Sequence, residues 1–318
     1  MMRSLLVVLV VALLATACGD GDADTTGIRV VATTTILGDV ARNLVEDDGS
    51  VEVLLPIGAD PHDYQASARQ VAAIQEADLV IANGLGLEEG FADVLDSAAA
   101  DGATVVMVAP LLDPLPFGGG DDDAHDDDKD ADHDDDEHAH DESGDDPHVW
   151  LDPLRMAAAT RIVAEELSKV DDSVDWIARA DAYADALATA DEEIQATLET
   201  IPPANRKLVT NHDALGYFAS RYGFEVVGVE IPGGTTLAEP SSAELTELVA
   251  VVDQEQVQAI FAETTNPEVL ADAVAAEAGG RVIVVELFTG SLGEPGSAAD
   301  TLIGMLTTNA QLIAEALS

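Results

Sequence analysis

The chain has 318 residues, 47% of them hydrophobic, and its 62 acidic against 13 basic side chains give a formal charge of −49. That balance excludes a nucleic-acid binder, which needs basic patches for phosphate, and suits cation binding or solubility. A single cysteine, Cys18, excludes an internal disulfide.

The chain opens with Met1, Met2 and Arg3, an apolar run over 5–14, and the small residues Ala15, Thr16 and Ala17 before Cys18. This is a signal peptide over 1–17. It is too short for a membrane span, which takes about 20 apolar residues, and Asp20, Asp22 and Asp24 follow at once. Cys18 sits where a lipobox cysteine would receive its lipid, although Ala15 stands where bacterial lipoproteins usually carry Leu. The expectation is a lipid-anchored protein on the extracytoplasmic face of the cell membrane, with 18–27 as a polar tether.

Removing 17 residues leaves 301, more than a single core usually serves, so two lobes are expected. β-Branched runs predict strands over 28–35, 51–56, 79–83 and 104–109, then over 207–210, 225–230, 259–263 and 281–287. Stretches such as 66–76 and 242–252 place apolar residues at helical spacing between them. Alternation of this kind predicts an α/β fold of two lobes, each with a mostly parallel four-stranded sheet flanked by helices.

Two strandless helical stretches separate the halves. Asp152 and Pro153, an N-cap residue followed by proline, open the first, which runs to about 170. The second covers about 173–200, with an apolar stripe through Ile177, Ala180, Ala184, Leu187, Ile194 and Leu198, and ends at Pro202 and Pro203. Its length predicts a rigid backbone helix joining the lobes. The expected domains are an N-terminal lobe over 28–170, the linking helix within 171–203, and a C-terminal lobe over 204–318.

Residues 118–144 lack apolar periodicity; Asp recurs there with His125, His133, His138 and His140 interspersed, and 121–146 hold 16 acids and one lysine. Such a segment cannot bury enough apolar surface to fold alone, which predicts a disordered acidic loop offering weak secondary metal sites. The other three histidines lie in Gly58-Ala59-Asp60-Pro61-His62-Asp63-Tyr64, in Pro147-His148-Val149-Trp150 and in Thr210-Asn211-His212-Asp213. Each follows a predicted strand and precedes a predicted helix, the edge of a parallel sheet where ligands bind. A cleft between lobes would bring them together. Imidazole suits zinc and other late transition metals better than calcium or magnesium. A tetrahedral site needs a fourth ligand, and Glu286, Glu294 and Asp300 are the carboxylates after or at the end of the last strand. Spacing does not choose among them, and Asp300 also stands near capping-box distance from Ser297 at the final helix.

These stretches, with Gly216-Tyr217-Phe218 and residues 296–310, resemble the cluster A-I substrate-binding proteins of ABC transporters, the zinc and manganese receptors. The resemblance implies a metal site of His62, His148, His212 and Asp300. Histidine at the third position and an acidic, histidine-rich loop before the second ligand are similar to the zinc receptors. It further implies a non-enzymatic receptor, a monomer, that carries Zn2+ as transported ligand, with an ABC transporter permease and the membrane as partners. A manganese receptor of the same family is the alternative, and a zinc-dependent hydrolase a more distant one. One departure is Gln65-Ala66-Ser67-Ala68, where the family often has prolines around the serine.

Overall fold

A computed structural model describes residues 27–117, 144–231, 236–237, 240–265 and 269–318. The signal peptide, Cys18, the tether up to residue 26, and His125, His133, His138 and His140 lie outside the described residues.

The first half runs β1 (Ile28–Ala32), α1 (Thr35–Val45), β2 (Gly49–Val53), α2 (Ala68–Glu76), β3 (Leu79–Ala82), α3 (Ala92–Ala100) and β4 (Val105–Met107). Its four strands are parallel in the order β2-β1-β3-β4. β1 is shorter than expected because Thr34 caps α1, its side chain accepting from the Leu37 amide. α2 starts without the prolines of the family pattern. Ser67 and Gln70 form a capping box, and Gln70 Nε2 also donates to the Leu54 carbonyl.

Between the halves lie α4 (Pro153–Val170) and α5 (Trp176–Leu198). Asp152 caps α4 from the predicted position, accepting from the amides of Leu154 and Arg155. The 23 residues of α5 span about 35 Å at 1.5 Å per residue. Near its N-terminus Arg179 Nη1 donates to the carbonyls of Leu44 and Val45 at the end of α1, and further along Tyr183 donates to Asp39. Towards its C-terminus Asp191 accepts from Arg221 and Tyr222. One helix is therefore fastened to both halves.

The second half repeats the first: β5 (Lys207–His212), α6 (Gly216–Tyr222), β6 (Glu225–Ile231), α7 (Ser242–Gln254), β7 (Ala259–Glu263), α8 (Val269–Glu277), β8 (Ile283–Leu287) and α9 (Leu302–Leu317). Its strands are again parallel, in the order β6-β5-β7-β8. One apolar core runs through both halves, from Val30 and Leu44 through Trp176 and Leu187 to Phe261 and Ile313. Smaller cores cover the outer face of each sheet, around Val80 and Phe91 in one and Val209 and Ile260 in the other.

The described residues on either side of 118–143 are joined by a short antiparallel bridge between Pro116 and Asp145. The Phe117 amide donates to the Gly144 carbonyl at 3.2 Å, and the Asp146 amide to Leu115 at 2.7 Å. Tyr217 locks this base from the other half: its hydroxyl donates to the Asp146 carbonyl and accepts from the Leu115 amide.

Candidate metal centre

In each sheet the strand order reverses direction beside the first strand, at β1/β3 and at β5/β7, and such switch points open crevices beyond the carboxyl ends of the strands. In the first sheet Glu88 fills this position. Its buried carboxylate accepts from the Thr33 hydroxyl and from the amides of Asn83 and Gly84. Asn83 in turn donates Nδ2 to the Pro147 carbonyl at 2.9 Å, fixing the backbone just before His148. In the second sheet the switch point carries His212, the last residue of β5, and Glu263, the last of β7.

His62 follows β2, His148 follows β4, and the three imidazoles meet between the lobes, each side chain group part of a residue only 2% exposed. His148 Nε2 lies 3.3 Å from His62 Nε2 and 3.1 Å from His212 Nε2. Nitrogen ligands about 2.05 Å from a tetrahedral zinc stand about 3.3 Å apart. The separations therefore match the edges of such a polyhedron.

Two of the histidines stand in the same tripeptide, Asp60-Pro61-His62 and Asp146-Pro147-His148. In each the histidine amide donates to the aspartate Oδ1 at 2.9 Å, so the carboxylate two residues back shapes the turn that presents the ring. The turns then diverge. Asp146 Oδ1 also lies 2.7 Å from His148 Nδ1, whereas Asp60 Oδ2 accepts from Thr236 across the lobes, and His62 Nδ1 is buried without a partner. His212 Nδ1 faces Glu263 Oε2 at 3.0 Å, and the other oxygen of Glu263 accepts from the Thr289 hydroxyl. A carboxylate on Nδ1 fixes the tautomer with its proton there, which leaves the Nε2 lone pair facing inward.

Burial dominates the electrostatics of the metal-free cluster. It pushes the Asp146 carboxyl up to about 7. Burial also lowers His62 to about 2, reinforced by the neighbouring His148 and His212, and burial with His212 holds His148 well below the usual range. At the third position burial opposes the pair, but mutual attraction wins. His212 is raised by Glu263, and Glu263 is held down to about 2 by His212 and Thr289. Within the metal-free cluster the charged form is therefore favoured at His212 and disfavoured at His62 and His148.

Asp300 does not join the histidines. It is exposed, and its Oδ2 accepts from the Gly296 amide at 2.8 Å. The reason is local: the Gly293 amide donates to the Ala299 carbonyl, so 293–299 close on themselves and carry Asp300 away from the cleft. α9 is capped by Thr301 rather than by Ser297 or Asp300. Glu286 and Glu294 are exposed as well. Among the described residues the only cluster of His, Cys, Asp and Glu ligand atoms within 4.8 Å of one another is His62, His148 and His212. The supporting carboxylates Asp146 and Glu263 were not singled out from the sequence. The repeated Asp-Pro-His was the signal for Asp146; for Glu263 none exists short of the sheet order.

Comparison with known proteins identifies the family. The family model described as zinc-uptake complex component A, periplasmic, matches residues 30–316. The chain is 32% identical to the zinc-binding protein TroA of Treponema pallidum, covering 95% of this chain and 93% of that one. It is 30% identical to the manganese-binding lipoprotein MntA of Halalkalibacterium halodurans, covering 98% and 97%. The solved structure of the periplasmic zinc-binding protein TroA superposes with a TM-score of 0.79 at 30% identity, over 92% of this chain and 99% of that one. The chain belongs to the family of the zinc-uptake component A proteins, metal-binding receptors of ABC transporters rather than enzymes.

Proposed function

We propose that the protein is a zinc receptor: it holds Zn2+ as cargo on His62, His148 and His212 and delivers it to the permease of an ABC transporter. The observation that carries this reading is the set of three inward Nε2 atoms with spacings of 3.1 and 3.3 Å. An all-imidazole donor set favours zinc over manganese, which prefers carboxylate and carbonyl oxygen. Relatives named for zinc and for manganese match this chain at similar identity, so the donor chemistry, not the likeness, carries the choice. Titration of the metal-free protein with each ion tests it. Zinc should bind far more tightly than manganese, and His212→Ala should lose most of that affinity; a preference for manganese would make it a manganese receptor instead.

The proposal extends to the membrane. Lipid on Cys18 would hold the receptor beside its permease, two or more acyl chains being needed for firm anchoring. No helix among the described residues is long and apolar enough to cross a membrane.

A further inference from the structure

The second sheet carries a polar pair on the face turned away from the histidines. Val209 of β5 and Gly228 of β6 are register partners, and a Cβ on Gly228 would meet both Leu248 of α7 and Val209, so this face of the sheet lies under α7. Side chains alternate along a strand. Asn211 and Glu230, two residues further on, therefore leave the same face, and they stand opposite each other because Thr210 pairs with Val229 and His212 with Ile231. His212 points the other way, into the histidine cluster. We propose that Asn211 and Glu230 form a second cation site, separate from the cluster, that takes one small monovalent ion such as Na+ or K+ on their side-chain oxygens. The inference does not depend on which metal the histidines hold.

Both residues are buried, Asn211 at 6% exposure and Glu230 at 2%. Asn211 Oδ1 and Glu230 Oε1 both lack a hydrogen-bond partner among the described residues. Two acceptors cannot satisfy each other, so a donor or a positive charge must come from outside the pair. No basic side chain supplies it. Burial alone acts on the Glu230 carboxyl and raises it to about 7, whereas a neighbouring Arg or Lys would pull it down. An ionised carboxylate sealed in without a counter-charge is costly, so above that value the site gains from any small cation that reaches it. Donor chemistry then selects the class. A carboxylate and an amide carbonyl are hard oxygen ligands, suited to hard cations rather than to zinc. One carboxylate balances one positive charge, while a divalent ion would leave a net charge buried. Both residues are next to last in their strands, at the carboxyl edge where parallel sheets receive ligands.

The test uses the full chain, loaded with zinc so that the cluster stays constant, at about pH 8, above the Glu230 value. Tetramethylammonium, too large for the site, is exchanged for Na+ or K+ at fixed ionic strength, so that screening does not change. The Tm of the wild type should rise by about 2–4 °C with one of the two ions, and the ion preferred reports the size of the site. Glu230→Gln replaces the charge by an amide; it should be more stable than the wild type in tetramethylammonium and indifferent to Na+ and K+. Asn211→Leu should lose the response as well, and zinc titration would confirm that it folds. A wild-type Tm equal in all three salts would overturn the site, leaving a proton or a water against the two oxygens. An ion response that survives either substitution would overturn it too, by placing the cation elsewhere.

Discussion

At the scale of single residues, the supporting carboxylates matter as much as the imidazoles they orient. Asp146→Asn removes the anion on His148 Nδ1, and zinc affinity should fall about 10- to 100-fold, measurable by competition with a chelator. Glu263, on Nδ1, also favours the imidazolium form of His212, and zinc must displace the Nε2 proton of that form while the Nδ1 proton stays. Binding should therefore release protons and weaken as pH falls through the raised His212 range; calorimetry in buffers of different ionisation enthalpy reads this directly. Glu230, away from the cluster, gives a contrasting case. Burial alone raises its carboxyl to about 7, and its Oε1 has no partner. A raised carboxylate value means the folded state holds its proton longer than the unfolded one. The associated stability is full below about pH 4.5 and is lost as pH rises through about 7. Glu230→Gln should flatten this, so the variant should gain stability relative to wild type between pH 5 and pH 8, by up to about 3 kcal/mol. Denaturant melts at the two pH values check it.

At the scale of elements, a single buried carboxylate ties three helices together. Asp39 in α1 accepts from the Tyr183 hydroxyl of α5 and from the Leu302 amide at the start of α9. Asp39→Ala strands both donors in a buried place, at about 1–3 kcal/mol each, whereas Tyr183→Phe removes one partner and should cost less. Urea unfolding should rank them in that order, and equal effects would show that α9 does not depend on Asp39. Such ties explain what was legible in the sequence. The eight strands and the Asp152-Pro153 helix start were readable because alternation and capping are local. The Asp39–Leu302 bond, 263 residues apart along the chain, was not. Asp300 stands outside the histidine cluster for a related reason. Its distance from the last strand was readable, but the closing of 293–299 on themselves, which turns it outward, was not. The three histidines come together because a strand end fixes position at a sheet edge, where a loop residue further on has no such constraint.

At the scale of the whole molecule, one continuous core through both halves makes the receptor a single body with its cargo site at the seam. The histidines of the acidic insertion, His125, His133, His138 and His140, are proposed to bind further zinc weakly, because the acidic composition of 118–143 offers no apolar surface to pre-order a site. Deleting 118–143 should remove those extra equivalents and leave the tight site within a few-fold, as read by titration to saturation. Loss of tight binding would place the true ligands in the insertion. Replacing Cys18 by Ala should likewise release the protein from the membrane fraction without altering zinc affinity in the purified chain. The pairing of Phe117 with Gly144, and of Leu115 with Asp146 under the Tyr217 hydroxyl, brings the two ends of the insertion side by side on a fixed footing. They meet as the two posts of a doorway do, whatever hangs between them. A fluorescent domain whose own termini lie close together could be spliced into that doorway, turning the receptor into a zinc reporter without disturbing the turn that presents His148.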